Sequence, residues 1–424
     1  MNVTDNSFRD GLAKAFEELE GLLEKVPGSM ADDIRKKLKG TREMLLDQRP
    51  PRFALVGRRG SGKSSLINAI FGEQVAKVGH EKAQTGRPKW YMHRGARGAL
   101  EFLDTRGLQE GHAPDEADEA ESALDSIFSE IKKQCPDAVL FLVKATEADA
   151  AIDEDLAQLT TLNKRMYDLH GARVPILAVL TQCDVLEPKN VALHRQDDCD
   201  PADWREKSDR VKRLENQVGD KIRAQPALRD AYVVTLGVSC YQSWRTDGSR
   251  RGDDRWRVTD LVEYLFEELP KEARIELVRL AQVRKLQLKI AKTLITLVAS
   301  ACAGLAATPI PVADIVPITS LQVALIAGIG YISGRTLTLK TAGEFLTALG
   351  VNVGAGFVLR EGARALIKFV FPGGGSLISA GVAFAGTVGI GAAATAYFIE
   401  GRSIEDAKSA YGIARSEAPN EHEK

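Results

Sequence analysis

The spacing of apolar positions changes several times along the chain. Phe8, Leu12, Phe16, Leu19, Leu23 and Val26 recur every three or four residues, the period of one helix face, until Pro27-Gly28-Ser29 breaks it. A second helix is expected over 32–48, stopped by Pro50-Pro51. Two amphipathic helices cannot bury their stripes alone, so this pair needs a partner later in the chain. Over 52–270, short apolar runs alternate with helical stretches. Residues 53–56, 138–143, 175–180 and 232–238 read as buried strands, and 90–92 with 99–103 as a hairpin. Such alternation predicts an open, mostly parallel sheet with helices on both faces. Residues 198–203 and 246–257 are polar and read as loops. A charged amphipathic helix is expected over 271–287, followed by stretches rich in Ala, Gly, Val, Ile and Thr.

The charge pattern sharpens this division. The 424 residues carry a formal net charge of -1, so no global basic field argues for nucleic acid. Residues 1–292 are highly charged, whereas 293–313, 315–334 and 369–399 carry no charge. The expected organisation is therefore an N-terminal helical hairpin (1–51), an α/β domain (52–270), a C-terminal helical domain (271–412) and a polar tail (413–424). The N-terminal helices and the Ala/Gly-rich region would together form an all-α domain. Five scattered cysteines with no CxxC pair fit a reducing cytosol. No basic-then-apolar leader opens the chain, so the α/β domain is expected in the cytoplasm or at the cytoplasmic face of a membrane.

The chemistry is concentrated in one loop. Gly57-Arg58-Arg59-Gly60-Ser61-Gly62-Lys63-Ser64 follows a strand and precedes an apolar helical stretch, the context of a phosphate-binding Walker A loop. Its glycines let successive N–H groups face phosphates, and the helix N-terminus adds positive potential. Lys63 would reach the β- and γ-phosphates, and Ser64, followed by Ser65, would ligate Mg²⁺. Downstream, Leu103-Asp104-Thr105-Arg106-Gly107 ends a strand. Asp104 would hold Mg²⁺ through water and the Gly107 N–H would meet the γ-phosphate. Thr181-Gln182-Cys183-Asp184 closes a later strand. A carboxylate at Asp184 can accept from guanine N1–H and the 2-amino group, a donor pair adenine lacks. The competing role for Asp184 is a helix N-cap. No Ser-His-Asp set, paired-carboxylate signal or His-based metal cluster stands out among six scattered histidines.

These motifs, in this order, resemble the translation-factor-related P-loop GTPases. Residues 62–72 (GKSSLINAIFG) are similar to the Era-like branch, and residues 82–87 (KAQTGR) to its switch I. The resemblance implies GTP/GDP and Mg²⁺ as ligands, Thr85 as the switch ligand of Mg²⁺ and γ-phosphate, and Ser239-Cys240 in the loop that contacts guanine O6. With Arg59, Gly60, Ser61 and Gly62 lining the phosphates, Lys63, Thr85 and Gly107 would make up the catalytic set. The chain departs from the pattern in three places. Gln182 stands where Lys is usual, Gly60 where Asn can support potassium, and Leu108 where small GTPases often place a water-orienting Gln. Intrinsic turnover is therefore expected to be slow, with Arg58 or Arg59 supplying charge in this chain or across a homodimer.

Residues 308–314 (TPIPVAD) and 317–322 (PITSLQ) resemble the YcjF-like C-terminal domain, with a fainter similarity to immunity-related, dynamin-like GTPases. Two arrangements stay open for this region. Residues 293–313 and 315–334 could form a membrane hairpin flanked by Arg284, Lys285, Lys289, Lys292, Arg335 and Lys340, with 369–399 as a further inserted segment. Alternatively they pack in a soluble bundle with the N-terminal pair. The leading functional expectation is a GTP-hydrolysing switch acting at membrane lipid, without a nucleic-acid partner. A ribosome- or RNA-associated GTPase and a nucleotide-bound scaffold with negligible hydrolysis are the alternatives.

Overall fold

The computed structural model describes residues 28–74, 89–95, 97–104, 123–148, 152–307, 315–335, 337–350 and 380–418, with scattered positions from 10 to 23. It divides into two compact units, Pro50–Ala281, and Met1–Arg49 taken with Gln282–Lys424.

The first unit is built on a six-stranded sheet. Its strands are β1 (Arg52–Val56), β2 (Lys89–Gly95), β3 (Gly98–Asp104), β4 (Ala138–Lys144), β5 (Ile176–Thr181) and β6 (Tyr232–Gly237), in spatial order β2-β3-β1-β4-β5-β6. Only β2 runs antiparallel, paired with β3 as the expected hairpin. In the middle of the sheet β1, β4 and β5 are buried almost throughout. Such strands read as unbroken apolar runs because helices cover both faces. The covering helices include Ile152–His170 and Pro201–Arg223, whose Leu156, Leu159, Val211, Val218 and Ile222 join one core with Val139, Phe141 and Ala178.

The sequence reading differs from the structure in several places here: residues 201–203, expected as loop, are the first turn of the helix Pro201–Arg223, started by Pro201 and the Asp200 cap. Residues 246–257 are not all loop: β7 (Gln242–Trp244) and β8 (Arg250–Asp253) form a short polar hairpin. The expected helix over 271–287 is two helices, Lys271–Ala281 and Arg284–Ala306, because Gln282 adopts a left-handed conformation (φ 56°). Lys271–Ala281, assigned from sequence to the C-terminal region, packs on β3 and on the helix Val258–Glu268 within the first unit.

The second unit is helical. Gly28–Leu45 lies along Arg284–Ala306, which also meets Ile315–Ile332 and Ala380–Ala394; Ile404–Glu417 covers Ala380–Ala394. The helices approach closely because one side of each contact is glycine. A methyl group on Gly304 would sit 2.9 Å from Ile34 Cγ1, on Gly328 2.6 Å from Leu45 Cδ2, and on Gly391 2.4 Å from Ile295 Cγ1. Leu12, Phe16 and Leu23 of the first apolar stripe are buried as well. The uncharged run from residue 293 is thus the latter part of a longer helix whose first turns carry Arg284, Lys285, Lys289 and Lys292. Two helices, Arg284–Ala306 and Ala380–Ile399, are long and apolar enough to cross a membrane, and 44% and 56% of their most apolar windows are buried. Pro309, Pro311 and Asp314 lie outside the described residues.

Candidate nucleotide site at the carboxyl edge of the sheet

Three loops leave the carboxyl ends of β1, β5 and β6, which lie along one edge of the sheet with β4 between β1 and β5, the place where open α/β sheets bind ligands. The first, residues 57–64, leads from β1 into the helix Lys63–Phe71. Gly57 is buried against β4: a Cβ there would meet Leu142 O at 2.5 Å and Ser61 Oγ at 2.8 Å. Gly60 (φ 74°) and Gly62 (φ 88°) hold left-handed conformations that side chains rarely adopt. Gly62 precedes the helix with no side-chain cap, and the first turn holds no acidic residue. The N–H groups and positive potential of this helix end thus remain available to an anion. Lys63 Nζ folds back to donate to Gly57 O (2.8 Å) and Arg58 O (3.2 Å), which keeps its charge over the loop. The two arginines part company. Arg58 pairs with Asp155 of the Ile152–His170 helix at 2.9 Å, and Arg59 is exposed.

The second loop is sewn to the first. Thr181 Oγ1 donates to Ser61 O (2.8 Å), and Gln182, at φ 59°, donates through Nε2 to Gly60 O (2.9 Å). Gln182 therefore braces the two loops in the position where the family pattern has Lys. Asp184 follows in a one-turn helix, Cys183–Val185, half-buried, and its carboxylate accepts no hydrogen bond from another described residue. It does not act as the cap of that turn.

The third loop joins the second through the backbone: Cys183 N donates to Val238 O (3.2 Å) and Val238 N to Leu180 O (2.8 Å). Ser239 and Trp256 exchange both backbone hydrogen bonds, which fixes the loop from its far side. Burial pushes the Cys240 thiol up to about 12, with the Asp184 carboxylate adding in the same direction. Burial likewise raises the Cys183 thiol. The Ser61 and Ser239 hydroxyls are both buried without a partner. Orphaned hydroxyls on two of the three loops suit a polar ligand.

Not every expected residue falls in this account. Ser64 and Ser65 sit half-buried in the first helical turn, where a Mg²⁺-ligating hydroxyl would be. Asp104 is the last residue of β3, in register with Leu55, two positions before Gly57. Thr85, Arg106, Gly107 and Leu108 lie outside the described residues. Sequence reasoning missed Lys207. Its side chain is fully buried, and its ammonium donates to Asp184 O (2.6 Å), Val191 O (2.9 Å) and Pro188 O (3.1 Å). Desolvation lowers its pKa, and the charge of Asp184 opposes that shift. In sequence it looks like any lysine on a charged helix, and nothing local marks it as internal.

Comparison with known proteins agrees with this geometry. Residues 52–181 match the family described as 50S ribosome-binding GTPase. GTPase Der of Bacteroides fragilis is 29% identical over 163 residues, 38% of this chain and 34% of that protein. The match thus spans about a third of that curated relative. Among solved structures, Toc33 from Arabidopsis thaliana in complex with GDP and Mg²⁺ is 17% identical, with a TM-score of 0.36 over 58% of this chain and 94% of that one. Era in complex with MgGDPNP and a segment of 16S ribosomal RNA is 19% identical, with a TM-score of 0.32 over 53% of this chain and 58% of that one. Walker A loop, sheet order and the match over residues 52–181 together give this part of the chain the fold of a P-loop GTPase domain.

Proposed function

We propose that this chain binds GTP and GDP with Mg²⁺ and acts as a slowly hydrolysing switch at a membrane. The observation that carries the nucleotide reading is the joining of the two loops. Thr181 and Gln182 bind the backbone of Ser61 and Gly60, which sets Asp184 at a fixed offset from the phosphate cradle. Lys63, the N–H groups at residues 62–65 and the helix N-terminus would stabilise charge on the phosphates. Mg²⁺, when bound, offsets charge between the β- and γ-phosphates; Ser64, Asp104 and Thr85 are the residues that would hold it. Asp184 would select guanine, with the backbone of Ser239 and Cys240 beside it. Thr85 and the Gly107 N–H would engage the γ-phosphate. Exposed Arg59, rather than Asp155-bound Arg58, is the arginine available to a second copy in a G-domain dimer. The membrane part rests on the two long apolar helices of the second unit.

Competition binding tests the nucleotide reading: the wild-type chain should prefer GTP over ATP, and Asp184→Ala should abolish the preference. Equal affinities in the wild type would refute guanine selectivity. For the membrane reading, the full chain should float with anionic liposomes and resist salt extraction. Ribosome association is the second reading, favoured by the description of the matching family. It stands against the expectation of no nucleic-acid partner. Co-sedimentation with the large ribosomal subunit and no flotation would decide for it.

A further inference from the structure

Lys207 spends all three ammonium protons on one segment of chain, residues 184–191. A buried cation is costly unless its donors are satisfied, and three carbonyls satisfy these. The lysine stands in the second turn of the helix Pro201–Arg223, whose start is fixed by Pro201 and by the Asp200 side chain capping Ala202 N. Trp204, one turn earlier, ties the same helix to Leu193 O at 3.2 Å. The helix therefore grips the chain after β5 twice, once within residues 184–191 and once just beyond them, but of the two side chains only Lys207 holds the main chain of Asp184 itself. On the other side, Cys183 N is bound to Val238 O. The peptide unit before Cys183 and the one after Asp184 are thus held from two directions, which restrains the two residues between them.

We infer that Lys207 is a positioning residue for base recognition: its ammonium, bound to the carbonyls of Asp184, Pro188 and Val191, sets the point from which the Asp184 carboxylate meets guanine. This rests on Asp184 reading the base, and it assigns to a distant helix a bracing role for the loop in which Gln182 replaces the usual Lys. The consequence is specific. Loosening this anchor should cost the contact to the guanine 2-amino group more than the contacts to phosphate.

GDP and IDP, which differ only in that amino group, are the probes, used with the full chain. Wild type should bind GDP about tenfold or more tighter than IDP, the value of a buried charge-assisted hydrogen bond. Lys207→Met should bring this ratio close to one, and in an Asp184→Ala background should change it no further. Trp204→Phe, which loosens the same helix without touching Asp184, should leave the ratio unchanged. If Lys207→Met fails to fold, Lys207→Gln, which keeps a hydrogen-bonding head, is read in the same cycle. A Lys207 variant that folds and keeps the wild-type ratio overturns the inference, as does a Trp204→Phe effect equal to that of Lys207→Met. An unchanged ratio in Asp184→Ala alone would instead overturn the guanine reading beneath it.

Discussion

Gly57 leaves no space for even one methyl group, because the neighbouring strand's Leu142 carbonyl and Ser61 Oγ already occupy it. Gly57→Ala must displace the loop, so we expect destabilisation of about 1–3 kcal/mol together with at least ~tenfold weaker GDP binding. Unfolding in urea and fluorescent-nucleotide titration measure the two effects. Thiol chemistry separates the cysteines in the same local terms. Burial raises Cys183 and pushes Cys240 and Cys302 to about 12, whereas Cys135 and Cys199 are half-buried. A thiol reagent at mildly alkaline pH should label only Cys135 and Cys199 until the protein unfolds, because the thiolate is the reactive form. At this scale the sequence singled out Lys63, Asp104 and Asp184, which stand in short motifs. It did not announce the Gln182–Gly60 bridge or Lys207, whose partners are fixed only when the chain folds.

Elements were legible where their period was strong. The buried strands of the sheet are apolar runs, and the phosphate loop carries its own strand–glycine–helix grammar. The β7–β8 hairpin was not visible, since Gln242–Trp244 and Arg250–Asp253 are short, polar and without alternation. Nor was the break at Gln282, because glutamine is a good helix former and nothing beside it marks a stop. The missed hairpin nevertheless has a use. Arg255, just beyond it, donates to Ala69 O at the end of the phosphate-loop helix (2.7 Å) while gripping Asp253 with Nε and Nη2. Arg255→Ala should therefore cost about 1–3 kcal/mol of stability, and Arg255→Lys should recover little, since a single ammonium cannot reproduce the fork. Urea denaturation of both variants checks the order.

On the scale of the whole chain, composition foretold that 293–399 would differ from the rest, and the expected pairing of N-terminal with C-terminal helices appears as the second unit. Composition could not choose between bilayer and bundle, because small residues serve close packing in both. Within that unit, Gly391→Val would drive a side chain into Ile295, and we expect a loss of about 1–3 kcal/mol. Calorimetry of the full chain should show it as a lowered melting transition.

The second unit is drawn from both ends of the sequence, and that has a consequence for synthesis. Gly28–Leu45 leaves the ribosome roughly 240 residues before Arg284–Ala306, the helix that buries its apolar side. At ~5–20 residues per second the wait is about 10–50 s. Throughout that time the nascent chain holds an orphan greasy surface while the intervening domain is free to fold. Chaperone capture of the first fifty residues, or premature association of stalled chains, would be the price of this order of assembly.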